Sequence, residues 1–308
     1  MSPDGKPAAT PAVTTERVSA RYTDLDSWPV ADMVAAMFEG QLAAVAAVGA
    51  AQQAIAAAVE AAVPGLQRGG RIVYVGAGTS GRIGVQDGAE LTPTFDWPTE
   101  RLVFLIAGGM IALTQSVEGA EDKALDAVQA VDDARLTAND VVICIAATGT
   151  TPYTVAALRA ANTAGAVTIA IANSPGSPLL ETARYPILVQ TGAEVIAGST
   201  RMKAGTAQKV VLNLLSTALM IRLGRVYRGL MVHMRVRNEK LRRRGEGIVE
   251  KIVACSTEDA ARHLQDAGGD VKTAILLGFG LAANEAAEAL QRHHGNLRAA
   301  LNEIGHDR

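Results

Sequence analysis

The 308-residue chain is poor in cysteine, in aromatic side chains and in excess charge of either sign. Its two cysteines, Cys144 and Cys255, stand far apart with no CxxC or Cys/His cluster beside them, which excludes a disulfide framework and a structural zinc site. Lys and Arg number 29 against 31 Asp and Glu, a formal charge of −2, so no global basic field exists to hold nucleic acid or an anionic membrane. Residues 1–25 lack an apolar h-region and carry Pro, Asp, Lys, Glu and Arg, which argues against a secretory leader and for a reducing cytoplasm. The longest apolar stretch, 42–63, is broken by Gly49, Gln52, Gln53 and Glu60 and reads as a packed helix rather than a bilayer span. His293, His294 and His306 lie near the C-terminus and His233 and His263 have no ligand-spaced partner, so they read as surface residues, and without a GxxxxGK[ST] loop nucleoside triphosphate hydrolysis is not expected.

What the chain has is alanine, glycine and β-branched residues: 49% hydrophobic with 19% charged, the composition of a folded protein of about two domains. Residues 1–14 are Pro/Ala/Thr-rich without periodicity, which predicts a disordered tail. A helical pattern from about Pro29 to Val63 follows, with Pro64-Gly65 as its stop. Then come short β-branched runs at 71–75, 102–106, 141–145, 167–171 and 186–189, each followed by a glycine or polar turn and a helix-period segment. Runs apolar on both faces, alternating with helices, argue an α/β fold with a parallel sheet. A strong helix is expected after Met202, ending at Gly224, and the basic run 235–244 reads as a solvated, ion-paired helix face. Short helices at 256–266, 270–278, 282–292 and 296–303 then form a small all-α module. The expected division is 15–245 for the α/β domain and 246–308 for the helical one.

Ligands of such sheets bind where strands feed into helix N-termini. Two loops hold that position. Val75-Gly76-Ala77-Gly78-Thr79-Ser80-Gly81-Arg82 combines glycines that aim backbone amides at an anion with two hydroxyls, and Ala146-Ala147-Thr148-Gly149-Thr150-Thr151-Pro152 surrounds a glycine with three threonines. The first also matches GxGxxG, but Ala107-Gly108-Gly109-Met110 stands where a dinucleotide site wants its ribose-binding acid. Two hydroxyl-rich loops suggest a phosphorylated sugar instead. Glu90 and the cluster Glu118, Glu121, Asp122 supply candidate acids and bases, the latter equally explained as the start of a solvated helix with Glu118 and Glu121 on one face. The stretch from Glu194 through Ser199, Thr200 and Lys203 to Lys209 is more polar than a helix cap requires, which points to ligand contacts or a polar interface between subunits.

These runs together resemble the N-acetylmuramic acid 6-phosphate etherases of the sugar isomerase (SIS) superfamily, from about Thr15 to Leu301. The resemblance is carried by 75–82, Val117-Glu118-Gly119-Ala120-Glu121-Asp122, the stretch 198–209, Asn238-x-Lys240-Leu241-x-x-Arg244, and the Cys255-Ser256, Gly268–Lys272 and Gly295–Leu297 segments of the helical module. It implies a cytoplasmic homodimeric lyase, working without a metal or other cofactor, that releases D-lactate from the sugar phosphate to leave N-acetylglucosamine 6-phosphate, in peptidoglycan recycling. Glu90 matches the family's proton donor and Glu121 its second catalytic carboxylate. Gly78, Thr79, Ser80, Gly81, Thr148, Gly149 and Thr151, with Glu194, Ser199, Thr200 and Lys203, are the expected substrate and phosphate contacts, in a site shared between subunits. The chain departs from the family's Ser-Ala-Ser-Gly-Arg-Thr-Pro-Tyr at Ala146 and Thr150, from Arg-Asn-Pro at Arg17-Val18-Ser19, and from Glu-Cys-Pro-Pro-Thr at Glu90–Thr94. Rival readings are a phosphosugar isomerase and a non-catalytic sugar-phosphate sensor.

Overall fold

The computed structural model describes residues 14–234, 236 and 238–306. Apart from Thr14, the expected tail lies outside the described residues, as do Arg235 and Arg237 of the basic run. The chain proceeds through α1 (Val30–Ala47), α2 (Gln52–Gln67), β1 (Ile72–Gly76), α3 (Gly78–Phe95), β2 (Leu102–Ile106), α4 (Ala124–Ala134) and β3 (Val141–Ile145). It continues with α5 (Pro152–Thr163), β4 (Val167–Ala172), α6 (Pro178–Thr182), β5 (Tyr185–Leu188) and α7 (Lys203–Arg222). A two-stranded ribbon, β6 (Val226–Tyr227) and β7 (Leu230–Met231), leads to α8 (Glu239–Val253), α9 (Thr257–Asp266), α10 (Val271–Gly278), α11 (Ala283–Arg292) and α12 (Leu297–Glu303).

The five long strands form one parallel sheet in the order β2-β1-β3-β4-β5. Because side chains alternate across a strand, each continuous apolar run is divided between two cores. Ile72, Tyr74, Ile143, Ile145, Ile169 and Ile171 face α2 and α7, while Val73, Val75, Val142, Cys144 and Ala170 face α4, α5 and α6. The chain leaves β1 outward to β2 and returns to β3 on the other side of β1, so the direction of winding reverses between β1 and β3. That reversal opens a crevice at the carboxyl ends of those two strands, where the two hydroxyl-rich loops emerge.

The leading helix differs from expectation in two places. A 3-10 turn at Val48–Ala51 divides it, and Pro64 lies inside α2, which continues to Gln67. Pro64 forfeits one helical hydrogen bond, but Val59, Ala62, Val63 and Leu66 are all buried on the sheet and hold the last turn in place. Gly65 fits there because a Cβ would come within 2.5 Å of the Asn139 carbonyl oxygen. By length and composition alone Val30–Gln67 and Lys203–Arg222 are each apolar enough to cross a membrane; α7 is largely buried in the first core and α2 packs one face on the sheet.

In the helical module Ser256, Asp270 and Asn296 cap their helices, accepting from the backbone N–H of Asp259 (3.1 Å), Thr273 (2.8 Å) and Ala299 (3.2 Å). Its core begins earlier than the expected boundary at 245/246: α8 runs straight through that point, and Tyr227, Val232 and Met234 already belong to the module's cluster. Arg242 and Arg243 pair with Glu239, and Arg242 also with Glu246, as expected of a solvated face.

Candidate active site

At the β1/β3 crevice lies a cavity of about 430 Å³ lined by Gly78, Thr79 and Ser80 from one loop, and Thr148, Thr150, Thr151 and Pro152 from the other. Glu121, Asp122, Glu16, Gly198 and Thr200 also line it, with Ala77 and the strand end Ile145–Ala147 at its base. The volume suits a ligand the size of a hexose phosphate. Gly78 opens α3 with φ +51, a backbone conformation that glycine adopts without strain. The first helical N–H groups have no acceptor in the preceding turn, so those of Gly78, Thr79 and Ser80 are available to a ligand, whereas the Gly81 N–H reaches Ala77 O at 3.1 Å. The start of α5 is built alike. Pro152 contributes no donor, the Val155 N–H bonds Thr151 O at 3.0 Å, and the amides of Tyr153 and Thr154 stand between. Two helix N-termini and a ring of hydroxyls converge on one cavity, the arrangement that binds an oxyanion.

The hydroxyl of Ser80 is held from behind. It donates to Gln208 Oε1 at 2.9 Å; Gln208 Nε2 donates to Asn173 Oδ1 at 3.0 Å, and Asn173 Nδ2 to Val189 O at 3.0 Å. Gln208 and Asn173 are fully buried, so this relay ties the first cradle loop to α7 and the β4 end. A second buried cluster locks α3 to α7 further along. Asp87 accepts from Tyr74 Oη (2.8 Å), Asn213 Nδ2 (2.8 Å) and Ser216 Oγ (3.1 Å). Burial raises the Asp87 carboxyl above its ordinary value, opposed by those three donors and by the Lys209 charge.

The remaining glycines of the cradle act through close approach rather than contact with the cavity. A Cβ on Gly81 would lie 3.0 Å from Gly76 O, and one on Gly149 (φ +69) 2.2 Å from Ser177 Oγ. Neither lines the cavity, in contrast to the expectation for both. Glu194 is also placed otherwise than expected. It is 1% exposed, and its two carboxylate oxygens accept from the backbone N–H of Lys203 (3.0 Å) and Ala204 (2.9 Å), capping α7. Lys203 turns away as well, donating from Nζ to Ala193 O at 2.8 Å, with burial lowering its pKa. Of that polar stretch, Thr200 lines the cavity and Ser199 does not.

The two catalytic candidates separate. Glu121 lies in a 3-10 turn, Ala120–Asp122, on the cavity wall. Glu118 is not its partner on a helix face, because Gly119 (φ +68) breaks the chain between them and α4 starts only at Ala124. Glu90 is exposed near the far end of α3 and does not line the cavity. At 1.5 Å per residue it lies about 15 Å along the helix axis from Ser80. Glu16 carries no recognisable motif and was missed in the sequence. It reaches the cavity because the Gly198 N–H donates to Thr15 O at 3.0 Å, drawing the first turn across the loop before α7.

A second cavity of about 270 Å³ adjoins the first through Ala77, Gly78 and Glu121, and is closed by Arg82, Gln115, Ser116, Val117 and Glu118. No group of three or more potential metal ligands occurs among the described residues.

The family profile described as Glucokinase regulatory protein N-terminal SIS domain matches residues 54–162, and that described as SIS domain matches 123–218. The chain is 50% identical over 290 residues to N-acetylmuramic acid 6-phosphate etherase of Deinococcus radiodurans, covering 94% of this chain and 95% of that one. It is 43% identical over 293 residues to the protein of that name from Halalkalibacterium halodurans, covering 95% and 98%. Among solved structures, a phosphoheptose isomerase from Francisella tularensis matches with a TM-score of 0.48 at 18% identity, over 63% of this chain and 100% of that chain.

Proposed function

The chain belongs to the N-acetylmuramic acid 6-phosphate etherase family, and we propose that its carbon–oxygen lyase chemistry is carried by Glu121 of one copy and Glu90 of a second. The reaction releases D-lactate from N-acetylmuramic acid 6-phosphate and leaves N-acetylglucosamine 6-phosphate, in amino sugar recycling. The substrate's phosphate occupies the cradle of Thr79, Ser80, Thr148 and Thr151 and the amides of α3 and α5. Ring opening exposes a C1 aldehyde that acidifies the C2 proton. A carboxylate takes that proton, the C2–H electron pair becomes the C2=C3 bond, and the C3–O pair departs with the lactyl oxygen, which receives a proton from the second carboxyl group. Water then adds at C3 and a proton returns to C2.

The observation that carries the reading is the meeting of two helix N-termini and Glu121 on one cavity sized for a hexose phosphate. Ala146 and Thr150 replace a serine and an arginine of the family's second loop, so the phosphate grip relies on hydroxyls and amides there. A homodimer is supported by an apolar face that no other described residue covers: Val30, Val34, Phe38, Leu42 and Val45 form an exposed stripe on α1, Phe38 at 62%. Helices α1 and α3 both pack on α7, and Glu90 on α3 is itself exposed, so the stripe and the carboxyl are both open to a second copy. The phosphorylated substrate and the free thiols of Cys144 and Cys255 favour the cytoplasm.

The test is complementation. Glu90→Gln and Glu121→Gln are each expected to lower lactate release by about 10²–10⁴-fold. If the two carboxyls of one site come from different chains, mixing and reassembling the inactive variants restores about a quarter of wild-type activity, since one site in each mixed C2 dimer is intact. Recovery of nothing, with mixed dimers verified, sinks the shared site. Conversion of an aldose to a ketose without lactate would favour the isomerase instead.

A further inference from the structure

We propose that the second cavity is the subsite for the carboxylate of the lactyl group, with Arg82 as the residue that recognises it. The proposal rests on the etherase reading and goes beyond it, because that reading assigns the phosphate and the proton transfers but leaves the substrate's other anion without a partner. N-acetylmuramic acid 6-phosphate carries its two anions at separate ends, the phosphate on C6 and the lactyl carboxylate on the C3 oxygen. The structure supplies two adjoining cavities that share Ala77, Gly78 and Glu121. With the phosphate in the larger one, a sugar whose C2 and C3 face Glu121 directs its C3 substituent across that shared wall into the smaller one.

Arg82 is built for an anion there. It lies one helical turn after Gly78 and so on the same face of α3. Its guanidinium is fixed by two neutral acceptors from the loop after β2, with Nε donating to Ala112 O at 3.0 Å and Nη2 to Gln115 O at 3.3 Å. Arg82 is exposed, and those bonds occupy two of its five N–H donors and leave three for a ligand. No carboxylate lies within ion-pair distance of Arg82 among the described residues. Arg82 is the one cation on the described wall of this cavity, and Glu118 and Glu121 on the same wall would repel a carboxylate that met no cation. Ala107, Ala112, Val117 and Ala120 offer an apolar surface to the lactyl methyl. As the C3–O bond breaks, charge grows on the lactyl oxygen next to the bound carboxylate, so the same cation also favours departure of the leaving group.

Three ligands test this on wild type, Arg82→Gln and Arg82→Lys: the substrate, the methyl ester of its lactyl carboxylate, and N-acetylglucosamine 6-phosphate, which has no lactyl group. Wild type is expected to prefer acid over ester by about 10–100-fold in kcat/KM, the range of a charge-assisted hydrogen bond. Arg82→Gln loses about that factor on the acid, no longer discriminates against the ester, and binds N-acetylglucosamine 6-phosphate within about twofold of wild type, which also reports an intact fold. Arg82→Lys recovers part of the discrimination. The proposal is overturned if the Gln variant still discriminates, or if it loses affinity for N-acetylglucosamine 6-phosphate to the same extent as for the substrate. If wild type cleaves neither acid nor ester, the etherase reading fails, and equilibrium binding of the two uncleaved compounds then decides the subsite on its own.

Discussion

Replacing Tyr74 by Phe removes a single hydroxyl from the centre of the molecule, yet the consequence should depend on pH. Tyr74 Oη donates to Asp87 at 2.8 Å, and both side chains are buried. Desolvation raises the Asp87 carboxyl above its ordinary value, while the donors Tyr74, Asn213 and Ser216 pull it back. A carboxyl whose pKa is higher folded than unfolded stabilises the fold fully below the unfolded value, about 4 for Asp, and loses that contribution as pH rises through the folded value. Tyr74→Phe deletes the first of the donors that favour the ionised form, so the folded value climbs further and the loss on the alkaline side deepens. A hydrogen bond to a charged group is worth about 1.5–3 kcal/mol, whereas a neutral one is worth about 1. At about 2–4 °C per kcal/mol, Tm should fall by about 3–12 °C on the alkaline side, where Asp87 is ionised, and by clearly less toward pH 4, below its raised value. Urea unfolding of both proteins across that range reads the difference directly. A penalty equal at both ends, or under about 0.5 kcal/mol throughout, would refute the idea that Tyr74 holds a charged Asp87.

Gln208→Leu keeps the side-chain volume but strands the buried Asn173 Oδ1, while Ser80 can turn its hydroxyl into the cavity; a loss of about 1–3 kcal/mol in urea is expected, and no loss would mean the relay is dispensable. Gly76→Ala places a Cβ 2.9 Å from the Gly81 N and Cα, which are backbone and cannot step aside. It should lower stability by about 1–3 kcal/mol and weaken phosphosugar binding in calorimetry, with unchanged binding contradicting the role of that contact in shaping the cradle. Lys272 is buried, and desolvation, with the Arg225 charge behind it, pushes its pKa down to about 7. Its stabilising share is intact above the ordinary lysine range and falls away as pH drops toward about 7, so Lys272→Met should raise Tm more near pH 6 than near pH 9. The opposite order would show that its bond to Gly295 O outweighs desolvation.

How much of this molecule could be read beforehand follows from the range of the forces involved. Strands buried on both faces must be runs of β-branched residues, so β1 to β5 stand in the sequence almost to the residue, and a loop that approaches an oxyanion needs glycine and hydroxyls in a row. Helix caps such as Ser256, Asp270 and Asn296 are equally local. Pro64 and Gly65 misled because local propensity gives way when the turn they occupy is buried on a sheet.

The candidate site is only half local. The sequence determined that two cradles exist, since each is a contiguous run whose amides and hydroxyls serve their own helix. It also carried the family membership through the motifs at 75–82, 117–122 and 198–209. Tertiary structure alone decided which carboxylates meet the cavity. Glu194 was drawn onto the start of α7, Glu90 was left on an exposed helix far from Ser80, and Glu16 arrived from the far N-terminal end of the described chain. Arg82, silent as the last letter of a glycine motif, gained its place in the second cavity because the loop after β2 folds back to accept its N–H groups. A charged side chain's role is set by whatever the fold places beside it, and those neighbours lie tens of residues away along the chain.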